Sequence, residues 1–260
     1  MKDAPLIAVD IGNTSLKCGR MAPAIGPGIA GLPRVEKLLQ VSTSAGDLEV
    51  LRAWLPESPV RWCIASVQRQ GDRRLTKWIS DRRPQDQLRL LRPTDIPLRI
   101  DVDYPERVGV DRLAAAYTAD RLRAKGRPAI VVDAGTAVTV DVVSADSAFL
   151  GGAILPGMWM SARSLSLDTD LLPMVAVDAG ELPPPIGRNT EAAIRSGVYY
   201  GLAGAVKELV AQMQAKLGGA AEVFVGGGGA DILLPPVLND SQHVPQLVLA
   251  GVALVAERLG

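Results

Sequence analysis

An acidic strand–turn motif occurs twice in the chain, and this repeat constrains the fold more than any other feature. The stretch VDIGNTSLK occupies residues 9–17, and its counterpart VDAGTAVTV occupies residues 132–140. Each is an apolar strand followed by aspartate, any residue, glycine and a nearby hydroxyl, and then a second strand. The two aspartates, Asp10 and Asp133, are separated by close to half of the 260 residues. The repeat therefore predicts two topologically similar halves, each presenting one acidic turn to a shared cleft.

Strand-like and helix-like segments alternate along the rest of the chain, which is typical of an α/β fold. VDRLAAAYTADRLRAKG is a helical pattern that we expect to end at Gly126, and NTEAAIRSGVYYGLAGAVKELVAQMQAKLG is a longer one. Asn189 or Thr190 is placed to cap the longer helix. Together with the repeat, this pattern predicts two α/β domains of mixed β-sheet flanked by helices, residues 1–115 and 116–260.

The first acidic turn carries the groups that a phosphate and metal site needs. Asp10 ends a strand, where it can face a cleft and bind or orient a hydrated Mg²⁺. Gly12 allows positive φ and Asn13 tolerates it, so the turn could point successive N–H groups outward as an anion-binding nest. Thr14 adds a hydroxyl and Lys17 a positive charge for phosphate oxygens. The alternative is a hairpin tip with ordinary turn residues and no ligand.

The second acidic turn repeats this arrangement with Asp133, Gly135 and Thr136. Thr139 and Asp141 follow at alternate positions on one face of the next strand. An acid inside the β-branched run VTVDVV is unfavourable if it is buried without a partner, and the alternative is a solvated sheet face. Two such turns in one chain favour a phosphate clamp.

The stretch RVGVDR, residues 107–112, is the third group of candidate functional residues. It lies where a loop gives way to a helix, so Asp111 and Arg112 fall in the first helical turn. Asp111 could be a general base that accepts a proton from a substrate hydroxyl, with Arg112 as a fork for a carboxylate. It could equally reflect the ordinary preference for acidic residues at helix N-termini, and the pattern alone does not decide between the two.

Two glycine-rich stretches indicate close approach of backbone to a ligand, or simply turns. They are VGGGG, residues 225–229, and GGAILPG, residues 151–157. VGGGG lacks the GxGxxG spacing and early βαβ placement of a dinucleotide fingerprint, so we exclude a Rossmann site. The chain also lacks GxxxxGK[ST], which disfavours P-loop nucleotide hydrolases.

Composition excludes several other classes of protein. Twenty-eight basic and 28 acidic residues cancel, so no global field recruits nucleic acid or an acidic membrane. His243 is the only histidine, which rules out a multi-histidine zinc site and favours carboxylates as the catalytic groups. Cys18 and Cys63 are too few for a disulfide framework. With no signal peptide or membrane span in the pattern, we expect a cytoplasmic protein with no nucleic-acid or membrane partner.

The motifs together resemble those of the type III pantothenate kinases. DIGNTSLK, VGVDR, DAGTAVTVDVV, GGAILPG, GRNTEAAIRSGVYYG and VGGGG occur here in the order and spacing of that family. The resemblance implies the actin, hexokinase and heat-shock chaperone superfamily, with duplicated RNase-H-like halves and ATP in the cleft between them. It implies ATP-dependent phosphorylation of pantothenate to 4'-phosphopantothenate, the first step of coenzyme A synthesis. It also implies a homodimer that uses Mg²⁺ and a monovalent cation, K⁺ or NH₄⁺.

The resemblance further implies a role for each matching position. Asp111 would accept the proton of the pantothenate hydroxyl, Asp133 would bind the monovalent cation, and Thr136 would bind the nucleotide. The first phosphate loop would comprise Asp10, Ile11, Gly12, Asn13, Thr14, Ser15, Leu16 and Lys17. Contacts to pantothenate would come from Gly109, Val110 and Arg112, and across a dimer interface from Thr190.

One departure from the family pattern concerns the substrate. A tyrosine that usually contacts pantothenate corresponds to Val102, and Tyr104 lies two positions later. The departure leaves open a kinase for a different small hydroxylated acid. A non-catalytic, nucleotide-binding accessory or regulatory protein is the third hypothesis. The intact acidic residues and Arg112 disfavour it, because a binding role needs no base beside an anion fork.

Overall fold

The computed structural model describes residues 4–22, 31–177, 182–219, 221–233, 238 and 240–259, which form two compact units. The first contains the described residues of Met1–Ala124, Ser147–Phe149 and Gln246–Gly260, and the second those of Lys125–Asp146 and Leu150–Pro245. The first unit thus includes the described residues of the C-terminal helix as well as the N-terminal part of the chain. The domain boundary at residue 115 stays a prediction.

The first unit is built on a five-stranded mixed sheet in the order β3-β2-β1-β4-β5. Strands β1, β2 and β3 pair antiparallel, whereas β4 and β5 run parallel to β1. β1 lies at the centre, and its apolar side chains are buried. The strands are β1 (Leu6–Ile11), β2 (Ser15–Ala22), β3 (Arg34–Ser42), β4 (Arg61–Ser66) and β5 (Gln87–Leu90).

Helices cover this sheet and position the candidate residues of the first unit. They are α1 (Val50–Trp54), α2 (Arg69–Arg82), α3 (Val110–Leu122) and α7 (Leu247–Leu259). α2 turns Leu75 and Ile79 toward the core. α3 carries a run of buried alanines and α7 is largely apolar, and they pack closely against each other, with α7 also against β1 and β4. The Thr118 hydroxyl donates to the Leu247 carbonyl at 2.8 Å, which ties the two helices together.

The sheet of the second unit has the same strand order as the first. It runs β9-β8-β7-β10-β11, with β7 and β8 antiparallel and β10 and β11 parallel to β7. Its strands are β7 (Ala129–Ala134), β8 (Ala137–Val143), β9 (Ala148–Pro156), β10 (Glu222–Gly226) and β11 (Ser241–His243). The first residues of β9 belong to the first unit, where Ala148 and Phe149 pair with β6 (Arg99–Ile100).

Three helices complete the second unit: α4 (Met158–Leu167), α5 (Thr190–Lys216) and α6 (Ala230–Leu233). α5 packs on β7, β8 and α4, and its buried side chains join the strands in one apolar core. Asn189 is its N-cap, and the side chain accepts a hydrogen bond from the Ala192 N–H at 2.8 Å. The predicted cap is therefore confirmed.

The α/β class with two mixed sheets flanked by helices is also confirmed. The predicted end of α3 at Gly126 is wrong, because the C-cap is Arg123 in an extended conformation. The Arg123 guanidinium bonds to Asp120 and to the Ser147 hydroxyl, which holds the chain away from the helix axis at that point. Gly126 instead takes φ +79° in the turn that follows.

None of the helices in the described part of the chain is long and apolar enough to cross a membrane.

Candidate active site

The first acidic turn joins β1 to β2 and carries a half-buried Asp10 at the penultimate position of β1. Asp10 lies directly opposite Lys17 in the antiparallel register. Paired residues in such a ladder project from the same face of the sheet, so the carboxylate and the ammonium share one side. The turn closes through a hydrogen bond from the Gly12 N–H to the Ser15 carbonyl at 3.0 Å.

The backbone of this turn differs from the expected anion-binding nest. Neither Gly12 nor Asn13 takes positive φ, because the Gly12 N–H turns back to Ser15. A β carbon added to Gly12 would lie 3.5 Å from the Ser15 carbonyl oxygen, which is an ordinary contact. Packing within the chain therefore does not require glycine at this position. The Ile11 and Leu16 side chains are buried in the core, so only their backbone can meet a ligand.

Thr43 holds this turn, and sequence analysis did not identify it. Its hydroxyl donates to the Gly12 carbonyl at 2.8 Å, and its N–H donates to the Thr14 carbonyl at 3.0 Å. Thr43 lies just after β3 and is 1% exposed. The contact joins positions far apart in the chain and has no local pattern, so no sequence signal could have revealed it.

Asp111 occupies the first turn of α3, whose N-cap is Gly109. Oδ1 of Asp111 accepts a hydrogen bond from the Arg112 N–H at 2.8 Å. A β carbon on Gly109 would collide with that oxygen, so the glycine makes room for the carboxylate. Burial raises the pKa of Asp111, and the Arg112 N–H and guanidinium offset only part of that rise. The carboxylate is thus both a helix N-terminal acceptor and a base of raised proton affinity.

Val67 links the first acidic turn to the start of α3 within the first unit. Its N–H donates to the Ile11 carbonyl at 3.1 Å, immediately after Asp10. Its side chain packs against Gly109, where an added β carbon would lie 3.4 Å from Val67 Cγ1. Two motifs that are distant in sequence are therefore joined through one residue.

Arg112 follows Asp111 and is half-buried. Its guanidinium lies 5.5 Å from the centroid of the Phe149 ring, in a cation–π contact. The contact limits the directions in which the guanidinium can point, so Arg112 is anchored beside Asp111.

The second acidic turn matches the first. Asp133 is the fifth residue of a six-residue strand, as Asp10 is in β1, and the two strands have the same burial pattern. The Gly135 N–H donates to the Ala137 carbonyl at 3.0 Å and closes the turn. The Thr136 carbonyl accepts a hydrogen bond from the Gly157 N–H at 3.0 Å, so GGAILPG ends against this turn.

The VGGGG stretch also lies against the second turn. Gly227 has φ +89°, and an added β carbon would lie 2.5 Å from both Oδ1 of Asp133 and the Ala134 carbonyl oxygen. Both the backbone conformation and the close approach require glycine at this position. The second unit therefore gathers three motifs around Asp133 and Thr136.

Asp141 does not lie on a solvated sheet face, so that alternative is wrong. It is 1% exposed and lies on β8 opposite Val131. An added β carbon on Gly152 would lie 2.5 Å from Asp141 Oδ1, so β9 passes closely over the carboxylate. Burial removes Asp141 from direct contact with solvent.

Thr190, the first residue of α5, lines an apolar groove of about 580 Å³ between α4 and α5. Leu155 and Pro156 of β9 form the end of the groove next to Gly157. Gly197 and Gly201 lie along α5 in its wall. Thr190 itself is exposed at the surface of the second unit.

Val102 and Tyr104, the positions that depart from the family pattern, differ in exposure. Val102 is half-buried, whereas Tyr104 is 59% exposed. The Arg107 guanidinium lies 4.6 Å from the centroid of the Tyr104 ring. Tyr104 is therefore a surface residue of the loop that precedes α3.

The two cysteines lack the properties of a catalytic nucleophile, and the histidine lies at the surface. Burial raises the pKa of Cys63 to about 12 and that of Cys18 still further. Thiols that stay protonated are poor nucleophiles. His243 is exposed on β11. Carboxylates remain the candidate bases.

The Asp10 and Asp133 carboxylates fit metal cations that are bound partly by the protein and partly by a substrate. No group of three or more His, Cys, Asp or Glu side chains in the described ranges could hold a metal ion alone. Mg²⁺ in phosphate-transfer enzymes is usually bound by one or two carboxylates together with phosphates and water. Asp10 fits that pattern, and Asp133 with nearby carbonyl oxygens fits a singly charged cation.

Sequence comparisons relate the chain to one family. The family model described as type III pantothenate kinase matches residues 6–212. The type III pantothenate kinase of Rhodopirellula baltica is 45% identical over 166 residues, which is 62% of this chain and 59% of that relative. The type III pantothenate kinase of Nitratidesulfovibrio vulgaris is 36% identical over 250 residues, 95% of this chain and 94% of that relative. The match thus spans about three fifths of the first relative and nearly all of the second.

Solved structures show the same fold. A Campylobacter jejuni protein assigned to the Baf family of transcriptional activators has a TM-score of 0.59 at 20% identity, over 98% of both chains. A ROK family glucokinase from Streptomyces griseus, solved with glucose and AMPPNP, has a TM-score of 0.50 at 13% identity. That alignment covers 98% of this chain and 100% of the glucokinase. At these identities the likeness shows the fold alone.

Proposed function

The chain belongs to the type III pantothenate kinase family, and on that premise we propose that Asp111 is the general base for ATP-dependent phosphorylation of pantothenate. The reaction is the first step of coenzyme A synthesis. The observation that carries the proposal is the fixed, partly buried Asp111 carboxylate, which accepts the Arg112 N–H at 2.8 Å and has a raised pKa. A base near the start of a helix, beside an arginine, suits a substrate with both a hydroxyl and a carboxylate.

In the proposed reaction the Asp111 carboxylate takes the proton of the substrate hydroxyl. The hydroxyl oxygen then forms a bond to the γ-phosphorus, and the bond from that phosphorus to the ADP oxygen breaks. Arg112, anchored on Phe149, holds the pantothenate carboxylate, and Gly109 and Val110 contribute backbone contacts. Phosphoryl transfer depends on positioning and charge neutralisation more than on covalent catalysis, so one aspartate base is sufficient.

The first loop, Asp10 to Lys17, is proposed to bind the phosphates of ATP. Lys17 and the Thr14 hydroxyl supply a charge and a donor for phosphate oxygens. The glycine at position 12, which packing does not demand, leaves room for a phosphate against the backbone. Asp10 would hold the divalent cation through its water or directly, and the bound ion supplies neutralisation of phosphate charge.

Asp133 is proposed to bind the monovalent cation, K⁺ or NH₄⁺, and Thr136 to bind the nucleotide. Support comes from the match between Asp133 and Asp10 in strand position and burial. The close approach of the Gly227 backbone restricts the Asp133 carboxylate to a narrow set of positions. A single carboxylate with carbonyl oxygens nearby suits a cation of one charge better than it suits Zn²⁺.

A homodimer through the groove between α4 and α5 is proposed as the working form. Glycine in a helix interior is less favourable than alanine by about 1 kcal/mol, yet added β carbons on Gly197 and Gly201 would contact nothing within 4 Å. The reason for glycine is thus not packing inside the chain. Large apolar side chains are also exposed in this unit, namely Ile154, Trp159, Leu167, Leu171 and Ile186. A second copy would cover them, and its Thr190 would reach pantothenate.

A kinase for another small hydroxylated acid is the second candidate function. The observation that favours it is the position of Tyr104, which is 59% exposed while Val102 takes the usual place of tyrosine. The cytoplasmic location and the lack of nucleic-acid and membrane partners stay predictions of the sequence.

The test of the proposed function is ADP release from Mg-ATP with pantothenate, with and without K⁺. Pantothenate-dependent release that K⁺ increases is the expected result. Nucleotide binding without any turnover of pantothenate would contradict it and favour either the second candidate or a non-catalytic nucleotide-binding protein, which a panel of small hydroxylated acids then distinguishes.

A further inference from the structure

We propose that Thr43 is a positioning residue that sets the orientation of the first phosphate loop, an inference that rests on the nucleotide-binding role proposed for that loop. Thr43 lies outside the loop, just after β3. It contacts the loop twice, through its hydroxyl to the Gly12 carbonyl and through its N–H to the Thr14 carbonyl. Both contacts are to the backbone of the loop, so any effect of Thr43 on nucleotide binding passes through the loop.

The hydrogen bond to Gly12 determines where the next donor points. A trans peptide is planar, and its N–H points opposite to its C=O. Because the Gly12 carbonyl is held toward Thr43 at 2.8 Å, the N–H of Asn13 is turned away from Thr43. Asn13 is exposed, and in the proposal its N–H is the donor that a phosphate meets. Without the hydrogen bond from Thr43, the Gly12–Asn13 peptide could rotate and turn the Asn13 N–H away from the phosphate.

Thr43 is itself held from the other side by α2. A β carbon on Gly71 would lie 2.5 Å from Thr43 Cγ2, so the glycine lets the helix approach closely. The Arg74 guanidinium donates to the Thr43 carbonyl and, at 2.6 Å, to the Gly46 carbonyl. With 1% exposure, Thr43 has little freedom to move. α2 therefore fixes Thr43, and Thr43 fixes the loop.

Thr43→Val tests this inference because valine keeps the shape and removes the hydroxyl. The Gly12 carbonyl then loses its donor, and we expect the Kd for ATP to rise at least about fivefold, the equivalent of one hydrogen bond. Thr43→Ser keeps the hydroxyl and should restore affinity to within about twofold of wild type. Arg74→Gln removes the guanidinium that holds Thr43 and should weaken ATP binding in the same direction, which covers the case of a valine variant that does not fold.

Thr118→Val is the matched control. It removes another buried threonine hydroxyl of the same unit, the donor to Leu247 at 2.8 Å. Calorimetry of ATP binding and thermal unfolding are measured on all variants. The inference is supported if Thr43→Val and Thr118→Val both lose thermal stability and, of these two variants, Thr43→Val alone loses ATP affinity. Wild-type affinity in Thr43→Val or Arg74→Gln, or equal loss in both valine variants, would overturn the inference. A wild-type chain that binds no nucleotide would overturn the proposed function with it.

Discussion

Gly227 lies so close to Asp133 that a β carbon on the glycine would come within 2.5 Å of Oδ1 of the carboxylate. The glycine has φ +89°, a conformation that side chains rarely adopt. The VGGGG turn thus forms one wall around Asp133. Any change that displaces this turn should displace the carboxylate.

Gly227→Ala is expected to lower stability by more than about 1 kcal/mol, because alanine is strained at positive φ. It should also raise the K⁺ concentration needed for half-maximal activation, since the new methyl group pushes on Asp133. Thermal unfolding and ADP release over a KCl series at constant ionic strength measure the two effects. Gly228→Ala is the control, because no atom lies within 4 Å of its added β carbon. Equal behaviour of the two variants would refute the role of the close contact.

Gly201→Leu is expected to convert the dimer into a monomer. An added β carbon meets nothing within 4 Å inside the chain, and leucine is the better helix former by somewhat under 1 kcal/mol, so the fold of the protomer should be kept. It would, however, occupy the groove that a second copy should fill. Light scattering after size exclusion gives the mass. Ala215→Leu, at an exposed position of α5 outside the groove, should leave the mass unchanged. A wild-type monomer, or a dimeric Gly201→Leu, would contradict the proposed interface.

Activity should fall at the acidic side of a pH profile at a higher pH than an ordinary aspartate would give. The base must be ionised, and burial raises the pKa of Asp111 from its usual value of about 3.9. As pH falls through the raised pKa, Asp111 gains a proton and kcat/KM declines. Circular dichroism at each pH separates this loss from unfolding. An acidic limb at or below the usual aspartate range would argue against Asp111.

The same pKa shift predicts how stability depends on pH. A raised folded-state pKa means that the folded state binds the proton more tightly, so the contribution of Asp111 to stability falls as pH rises through that pKa. Asp111→Asn cannot titrate and should lose less stability over this window. Urea unfolding of both proteins at several pH values gives the comparison. If the free energy of unfolding depended on pH equally in both proteins, burial would not raise the pKa of Asp111.

Much of this arrangement could be predicted from local patterns. Asp10 and Asp133 each end a run of apolar residues before a glycine, and such runs fix strand positions within a few residues. The cap of α5 was also readable, because Asn189 lies directly before a long helical pattern. These features depend on neighbours in the sequence, and the structure confirms the elements that carry them.

The rest depends on contacts between distant segments. Thr43 meets Gly12 and Val67 meets Gly109 only because the sheet brings their strands and loops together. The conformation of Gly12 is a local exception, since glycine permits positive φ but the hydrogen bond to Ser15 within the same turn selects another conformation. Residue type limits what a turn can adopt, and the tertiary contacts decide what it does adopt.

The central claim is that Asp111 is the general base, whereas Asp10 binds the divalent cation. Asp111→Asn tests this claim most directly. ADP release with saturating Mg-ATP and pantothenate is compared for wild type, Asp111→Asn and Asp81→Asn, whose carboxylate makes an exposed ion pair with Lys77 on α2. General base catalysis typically contributes about 10²–10⁴-fold, so we expect kcat to fall at least about 100-fold in Asp111→Asn while ATP affinity and Asp81→Asn stay near wild type. Pantothenate-dependent turnover that Asp111→Asn leaves unchanged would contradict the claim.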